Sequence, residues 1–424
     1  MTNRPLQYDI SENITFTSIK DQRFKTGRIS VSMFLPLDPN TVSQNALLPF
    51  VLTRSCKNFP DFTKLNERLS ELYGTIITAD SEKIGESQVL SLSATFLDDR
   101  YALYAESISG QVTALLCDML FEPNLSNGTF SDSDIEQEKR QLIESIEAEY
   151  NDKKAYAKRR CIAVMCKDEL YGLSALGEKE KVSELTSNDV LEAWQDILKH
   201  ARFEITMIGD MDPCCAIDVF KKKFAKLQDR TVYENKIKFI QNAGDVHKTT
   251  EFDDVKQSKL VLGLRTGMVS VDDDVHAFRV MNAILGGTAH SKLFKNVREK
   301  MSLCYYCSSR LDRNKGIIII ECGVKKENID IATDQILNQL EQIKIGNLSD
   351  EEILDTKLSL CNGFYTISDH LGALEGFYLN QTFSNNIQTP EEIVESIRNV
   401  SKDQIVGAAK RVTLDTVYAL TSRE

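Results

Sequence analysis

The sequence predicts an α+β fold in which two homologous halves each combine a sheet layer with a layer of helices. The first observation is length, because a chain of 424 residues is too long for one ordinary hydrophobic core. The second is a repeat, since the order of predicted elements in the first half recurs roughly 220–230 residues later. The third is that strands and helices occur in separate groups, which is typical of α+β layers.

In the first half, residue alternation identifies the strands and capping residues identify the helices. Leu90 and Leu92 alternate with Ser91 and Ser93, which indicates a strand with one apolar face. Ser131 is followed by acidic residues, which favours a helix start. The predicted elements are a strand at 29–35, helices at 45–54 and 62–72, strands within 74–96, and helices at 102–119 and from 131.

The second half repeats this order and is separated from the first by a polar segment. Its predicted elements are a strand at 258–264, helices at 274–285 and 291–301, strands within 303–324, and helices at 328–343 and from 349. The stretch before it contains Asn242-Ala243-Gly244-Asp245, a turn signal. We therefore expect an N-terminal half at 1–230, a linker at 231–257 and a C-terminal half at 258–424.

Charge and hydropathy exclude several classes of protein. The net charge of −12 argues against nucleic acid as the main partner. No apolar run approaches membrane-spanning length, so we expect no membrane partner. The segment Met1–Gln7 has neither the apolar core nor the cleavage site of a secretory signal. We therefore expect a cytoplasmic protein with reduced cysteines.

Metal-ligating residues do not occur at the spacing of a common metal site. The five histidines are His200, His247, His276, His290 and His370. No two lie three to five residues apart, so no helix turn can present two imidazoles to one ion. Among the ten cysteines, Cys304 and Cys307 make the one Cys-x-x-Cys pair. Strand alternation would point these two to opposite faces, so we predict that they neither share a metal nor form a disulfide.

One segment carries a motif that resembles a known family. Residues 285–305 are similar to the Gly-Gly…Ser-x-Leu…Arg-Glu…Leu-x-Tyr signature of the insulinase/pitrilysin metallopeptidases, the family of the mitochondrial processing peptidase. Leu170-Tyr171-Gly172 and Ile208–Asp212 look like further family landmarks. The resemblance runs from about Gly27 onward, and it implies a LuxS-like subunit of two related halves.

The family's zinc-binding residues are missing from this chain. Active members carry His-x-x-Glu-His in one half and a glutamate on a later helix. Those positions fall on Ala46, Pro49, Phe50 and Ser145. A one-residue slip would place Glu144 at the last position, but one carboxylate cannot replace two imidazoles. The chain therefore resembles bacterial members without the zinc motif, and we expect no metal or other cofactor here, with zinc only in a partner subunit.

Arg298 and Tyr305 are the residues to which the resemblance assigns chemistry. The resemblance implies that both residues donate hydrogen bonds to the carbonyl oxygen of a bound peptide, where negative charge grows during hydrolysis. Alternatively, Arg298 forms a surface ion pair with Glu299 and Tyr305 is an ordinary strand aromatic. Gly286 and Gly287 either end a helix through a positive φ or allow close approach of a peptide.

The acidic side chains around Ser145 have a simpler interpretation. Glu138, Glu144 and Glu147 read as the solvated face of one helix. Glu138 also matches an acidic family position seven residues ahead of the missing ligand.

The expected function is that of a non-catalytic peptidase subunit. Its partner would be a homologous zinc-bearing subunit, and the pair would enclose an unfolded or extended peptide. Two alternatives stay open at this point: an active zinc metallopeptidase that works alone, and a pure scaffold subunit without peptide binding.

Overall fold

Two units, each with its own sheet, make up the protein, which confirms the predicted α+β class. The computed structural model describes residues 4–227, 229–234, 238–268, 274–384 and 386–423. Unit 1 comprises Met1–Glu147, Leu173–Lys236 and Leu371–Leu379. Unit 2 comprises Ala148–Gly172, Ile237–His370 and Asn380–Glu424. Each unit is therefore assembled from three separate stretches of the chain.

In the part of the chain that the structure describes, eleven strands form the two sheets. The strands are β1 (Leu6–Ser11), β2 (Ile14–Lys20), β3 (Thr26–Pro36), β4 (Ile76–Ile84), β5 (Ser87–Leu97), β6 (Arg202–Gly209), β7 (His247–Phe252), β8 (Ser258–Arg265), β9 (Cys304–Asp312), β10 (Ile317–Val324) and β11 (Thr413–Thr421). The strand order is β1-β2-β6-β3-β5-β4 in unit 1 and β7-β11-β8-β10-β9 in unit 2. Strand β9 is thus an edge strand.

Fourteen α-helices accompany these sheets within the described residues. They are α1 (Val42–Leu52), α2 (Phe62–Glu71), α3 (Ile108–Phe121), α4 (Asp132–Asn151), α5 (Lys153–Met165), α6 (Lys179–Glu184), α7 (Ser187–His200), α8 (Cys214–Phe224), α9 (Val275–Asn282), α10 (Ile329–Lys344), α11 (Asp350–Ile367), α12 (Leu371–Leu379), α13 (Pro390–Asn399) and α14 (Lys402–Arg411). No helix of the described ranges has the length and apolar character that crossing a lipid bilayer requires.

The sheet of unit 1 packs its apolar face on helices and buries a serine-rich face as well. Leu90 and Leu92 belong to the apolar core together with residues of α1 and α3. On the opposite face, Ser32 Oγ lies 2.9 Å from Ser91 Oγ. Helix α12 contacts β3 and β6, and its Glu375 pairs with Arg28 of β3. A helix from late in the sequence therefore packs on part of this face.

Helix α5 covers one face of the sheet in unit 2. Cys161 and Met165 of α5 pack with Ile317 and Ile319 of β10 in one apolar cluster. Helix α10 contacts β8, and α9 contacts β9. The sheet of unit 2 therefore lies beneath helices that come from distant parts of the sequence.

A buried network of charges joins the loop after α5 to the sheet of unit 2. Glu169 Oε1 lies 2.6 Å from Arg265 Nη2, and its Oε2 lies 2.6 Å from Lys315 Nζ. Arg265 Nε also donates to Asp415 Oδ2 at 3.0 Å. Arg265 is 1% exposed, so the charges of this network interact in a low-dielectric interior.

The structure departs from the sequence-based division in two places. The predicted linker 231–257 contains β7, which pairs in parallel with β11 and so completes the sheet of unit 2. The segment Ala148–Gly172, expected in the N-terminal half, packs in unit 2. This segment belongs to unit 2 because it contains α5, whose side chains pack on the sheet of that unit although its strands are distant in sequence.

Candidate functional site

Three of the positions to which the family resemblance assigns zinc ligands lie on α1 and are packed into unit 1. Ala46 is fully buried, Pro49 is buried within the helix, and Phe50 is half-buried against the same core. Helix α1 contacts α7 and both β4 and β5. None of the three side chains offers a ligand atom, so these residues do not fit a zinc ion.

The fourth position, Ser145 on α4, faces solvent. Its hydroxyl donates to the Gln141 carbonyl of its own helix at 2.9 Å. Glu144 is exposed as well, in agreement with a solvated helix face.

Glu138 is an exception, and the interpretation of it as solvated was wrong. Only 6% of this residue is exposed, and Arg54 Nη1 lies 3.0 Å from Glu138 Oε1. Arg54 Nε also lies 3.0 Å from Asp134 Oδ1. Burial raises the pKa of Glu138, and the Arg54 guanidinium opposes that rise. The acidic position of the family therefore serves here as an ion-pair partner that ties α4 to the end of α1.

In unit 2, two π-helical segments frame the glycine pair and the predicted Arg/Tyr motif. They span Ala283–Gly287 and Leu293–Lys300, where continuous α-helices were expected. A π-helix is rare and occurs frequently at functional sites. Arg298 lies in the last turn of the second segment, and Tyr305 is the second residue of β9. The segment and the strand contact each other.

The side chains of Arg298 and Tyr305 both extend into solvent. Tyr305 is 60% exposed, and Arg298 is also exposed. The guanidinium carbon of Arg298 lies 4.5 Å from the ring centre of Phe294. Within the described residues, neither the guanidinium nor the Tyr305 hydroxyl makes a hydrogen bond. The predicted surface ion pair of Arg298 with Glu299 does not form there, and both polar groups are available to a ligand.

Gly286 and Gly287 end the first π-helical segment, but neither does so through a positive φ. A Cβ on Gly286 would lie 2.7 Å from the backbone nitrogen of Ser309 in β9. A Cβ on Gly287 would lie 3.3 Å from Asn282 Nδ2. Gly286 is therefore required by close packing of the helix on the strand, and its predicted contact with a peptide stays a prediction.

Cys304 and Cys307 lie on the same side of β9, so the prediction of opposite faces was wrong. Cys307 pairs with Cys322 of β10 and Tyr306 with Gly323, but Cys304 pairs with Val324. Tyr305 is the extra residue of a β-bulge, which shifts the alternation by one position. The Sγ atoms of Cys304, Cys307 and Cys322 all lie within 4.8 Å of one another.

Within this cysteine cluster, the pKa values of Cys304 and Cys307 shift in opposite directions. Hydrogen bonds from Cys307 and Cys322, together with the Arg298 charge, hold the pKa of Cys304 well below its usual range. The hydrogen bond to Cys304 raises the pKa of Cys307. The sequence contained no signal for Cys322, because its approach to the pair depends on strand pairing and on the bulge.

Comparison with known proteins finds relatives that match most of the chain. Residues 184–360 match the family described as "Peptidase M16 inactive domain". The "Probable inactive metalloprotease YmfF" of Bacillus subtilis is 33% identical over 97% of this chain and 96% of its own length. The "Uncharacterized zinc protease YmxG" of the same organism is 22% identical over 90% of this chain and 94% of its own length.

A solved structure agrees with the sequence matches. A conserved protein from Enterococcus faecalis V583 superimposes with a TM-score of 0.90 at 28% identity, covering 99% of each chain. This chain therefore shares the fold of that protein over almost its full length.

Proposed function

Because this chain belongs to the M16 peptidase family as a homologue of its inactive members, we propose that it is the non-catalytic subunit of a two-chain peptidase. Its partner would be a homologous subunit that carries the zinc motif. The two chains together would enclose an unfolded or extended peptide, and this chain would supply one wall of the chamber.

The observation that supports this proposal most is the exposure of Arg298 and Tyr305. A buried polar side chain usually has its hydrogen-bond partner within the chain, whereas an exposed one is free to bind another molecule. Both groups instead extend from unit 2 without a hydrogen bond in the described part of the molecule. This arrangement suits donors whose acceptor belongs to another molecule.

The chemistry of these two groups fits the carbonyl of a scissile peptide bond. When water attacks that carbon, negative charge develops on the carbonyl oxygen, and donors aimed at it stabilise the transition state. A guanidinium and a phenol can both donate to such an oxygen. In the proposed complex the partner's zinc would activate the water, while Arg298 and Tyr305 would bind the oxygen.

The first experiment tests assembly. This chain and a zinc-bearing homologue of similar length from the same genome are coexpressed, and their mass is measured by light scattering. We expect a heterodimer whose interface buries more than the roughly 1,600 Å² of a standard complex. Two separate monomers at micromolar concentration would contradict the proposal.

The second experiment separates a shared site from a scaffold. Turnover of an unfolded peptide by the reconstituted pair is measured for Tyr305→Phe and Arg298→Ala. Loss of one oxyanion donor costs roughly 100- to 1,000-fold in rate. Exposed Tyr365→Phe in the same unit is the control and should leave turnover unchanged. Normal turnover in both test variants would favour the scaffold role.

The remaining alternative, a zinc peptidase that works alone, has its own test. Elemental analysis of the purified chain should give no stoichiometric zinc, and the chain alone should cleave no unfolded peptide. One zinc per chain together with chelator-sensitive proteolysis would establish that alternative instead.

A further inference from the structure

The cysteine cluster of Cys304, Cys307 and Cys322 lies outside the role proposed above. Its three thiols come from two paired strands of unit 2. The bulge at Tyr305 places Cys304 on the same side of the sheet as Cys307 and Cys322. Cys322 is fully buried, Cys307 is 5% exposed and Cys304 is 8% exposed. Three thiols that meet at one point form a potential ligand set, which isolated buried cysteines do not.

The separation of the sulfur atoms suits a single metal ion. Three sulfurs placed about 2.3 Å from a central ion, the usual metal–thiolate distance, lie about 4 Å from one another in a plane. The cluster already holds its Sγ atoms within 4.8 Å of one another. A contraction of less than about 1 Å would complete the site, which rotation about the Cα–Cβ bonds can supply.

The number and type of ligands select among metals. Thiolates favour soft ions such as Cu(I), as well as zinc and iron–sulfur clusters. Zinc in structural sites takes four ligands, and an iron–sulfur cluster is commonly held by four cysteines. Among the described residues, no histidine, aspartate or glutamate joins the three cysteines. Cu(I) accepts three thiolates in a plane without a fourth ligand, so it matches this set best.

We propose that Cys304, Cys307 and Cys322 bind one Cu(I) ion as three thiolates. Binding forms three Cu–S bonds, breaks the S–H bond of each cysteine that is still protonated and releases those protons to solvent. No electron is transferred, because copper enters and remains as Cu(I). The Arg298 guanidinium, whose charge acts on Cys304, offsets part of the negative charge of the complex. Cys304 at the start of the edge strand β9 is the most exposed thiol and the entry point for the ion.

The test uses the full chain, anaerobic and fully reduced, in competition with a chromophoric Cu(I) chelator. Cys214 and Cys215 are exposed and adjacent, and could bind copper themselves, so both are first replaced by serine. We expect this background protein to take up one Cu(I) per chain. X-ray absorption should show three sulfur neighbours at about 2.3 Å.

Single substitutions then assign the ligands. Cys304→Ser and Cys307→Ser should each weaken Cu(I) binding by more than about 100-fold, since even changes outside a ligand shell cost about 10- to 100-fold. Cys361→Ser, which removes a buried cysteine of the same unit outside the cluster, should keep the background affinity. Circular dichroism and the urea midpoint without copper check that each variant is folded.

Three outcomes would overturn the proposal. The first is no stoichiometric uptake by the folded background protein. The second is unchanged affinity in both Cys304→Ser and Cys307→Ser. The third is zinc(II) that occupies the three cysteines while Cu(I) does not.

Discussion

Helix α1 of unit 1 and the segment 283–307 of unit 2 treat polar groups in opposite ways. On α1, the positions to which the family resemblance assigns zinc ligands carry Ala46, Pro49 and Phe50, which are buried or half-buried in unit 1. In unit 2, Arg298 and Tyr305 remain exposed and three cysteines meet beside them. Unit 1 therefore fills these positions with packed side chains, while unit 2 leaves polar groups accessible.

This difference teaches that a buried position limits its side chain in a way that an exposed position does not. The core around the fully buried Ala46 is closely packed. A histidine at this position therefore needs space that the packed core does not offer. Exposed groups such as Arg298 carry no such packing constraint.

The largest expected effect is on the buried charges of unit 2. Glu169→Ala leaves Arg265 and Lys315 buried without their shared carboxylate, which should lower the free energy of unfolding by about 3–5 kcal/mol. Exposed Glu144→Ala should change it by less than about 0.5 kcal/mol. Urea unfolding monitored by circular dichroism measures both. Equal midpoints would mean that the charge network contributes nothing to unit 2.

The ion pair between Glu138 and Arg54 in unit 1 should contribute less to the free energy of unfolding. In Glu138→Ala, Arg54 keeps its contact with Asp134 and is itself partly exposed. We therefore expect a loss of about 1–2 kcal/mol in the same urea experiment. A loss as large as that of Glu169→Ala would show that the two units bury charge at similar cost.

Returning a histidine to α1 should also destabilise the protein. Ala46→His forces a larger polar ring into a fully buried position, which should cost about 2–5 kcal/mol through overpacking and an unpaired nitrogen. The control is Ser145→Glu, at the fourth predicted ligand position, which is exposed, so the change should be neutral within about 0.5 kcal/mol. Normal stability of Ala46→His in thermal unfolding would show that α1 has retained an open site.

A smaller effect depends on pH and on His276 of α9. Burial, together with the charges of Arg279 and Arg313, lowers the pKa of His276 from 6.5 to about 4. Between these values the unfolded chain binds a proton that the folded chain does not, so stability falls as pH falls from about 6.5 to about 4. His276→Gln should remove about 1–2 kcal/mol of this dependence, allowing for partial exposure.

The matched control for that measurement is His370→Gln, which replaces an exposed histidine of unit 2. Urea midpoints are compared at pH 7 and pH 4.5 for both variants and the parent. An identical pH dependence in His276→Gln and the parent would remove His276 as the cause.

The smallest expected effect on stability is that of removing an exposed tyrosine hydroxyl in unit 2, in contrast to a buried one. Tyr305→Phe removes an exposed hydroxyl that has no partner among the described residues, so stability should change by less than about 0.5 kcal/mol. Tyr171→Phe removes a buried hydroxyl that donates to Asp312 Oδ2 at 2.5 Å, and it should cost about 1–3 kcal/mol. Equal melting temperatures for these two variants would contradict the assignment of Tyr305 as a group without a folding role.

The sequence predicted the fold class because helix caps and strand alternation are local signals. The capping box at Ser349 is one such signal, and the structure contains it. The position of α5 could not be predicted, because its apolar side chains match a sheet face about a hundred residues away. The faces of Cys304 and Cys307 were also beyond prediction, since a bulge at Tyr305 depends on how β9 pairs with β10. The assignment of zinc-ligand positions to α1 stays a prediction, since it depends on the family resemblance.

Helix α12 has a consequence for how the protein is made. Its residues Leu371–Leu379 complete unit 1, although the rest of that unit ends at Lys236. A ribosome that has released the first 236 residues has therefore delivered Arg28 without Glu375, its partner from α12. Domains commonly fold from the N-terminus during synthesis. Here the nascent first unit lacks this helix until almost nine-tenths of the chain has been translated.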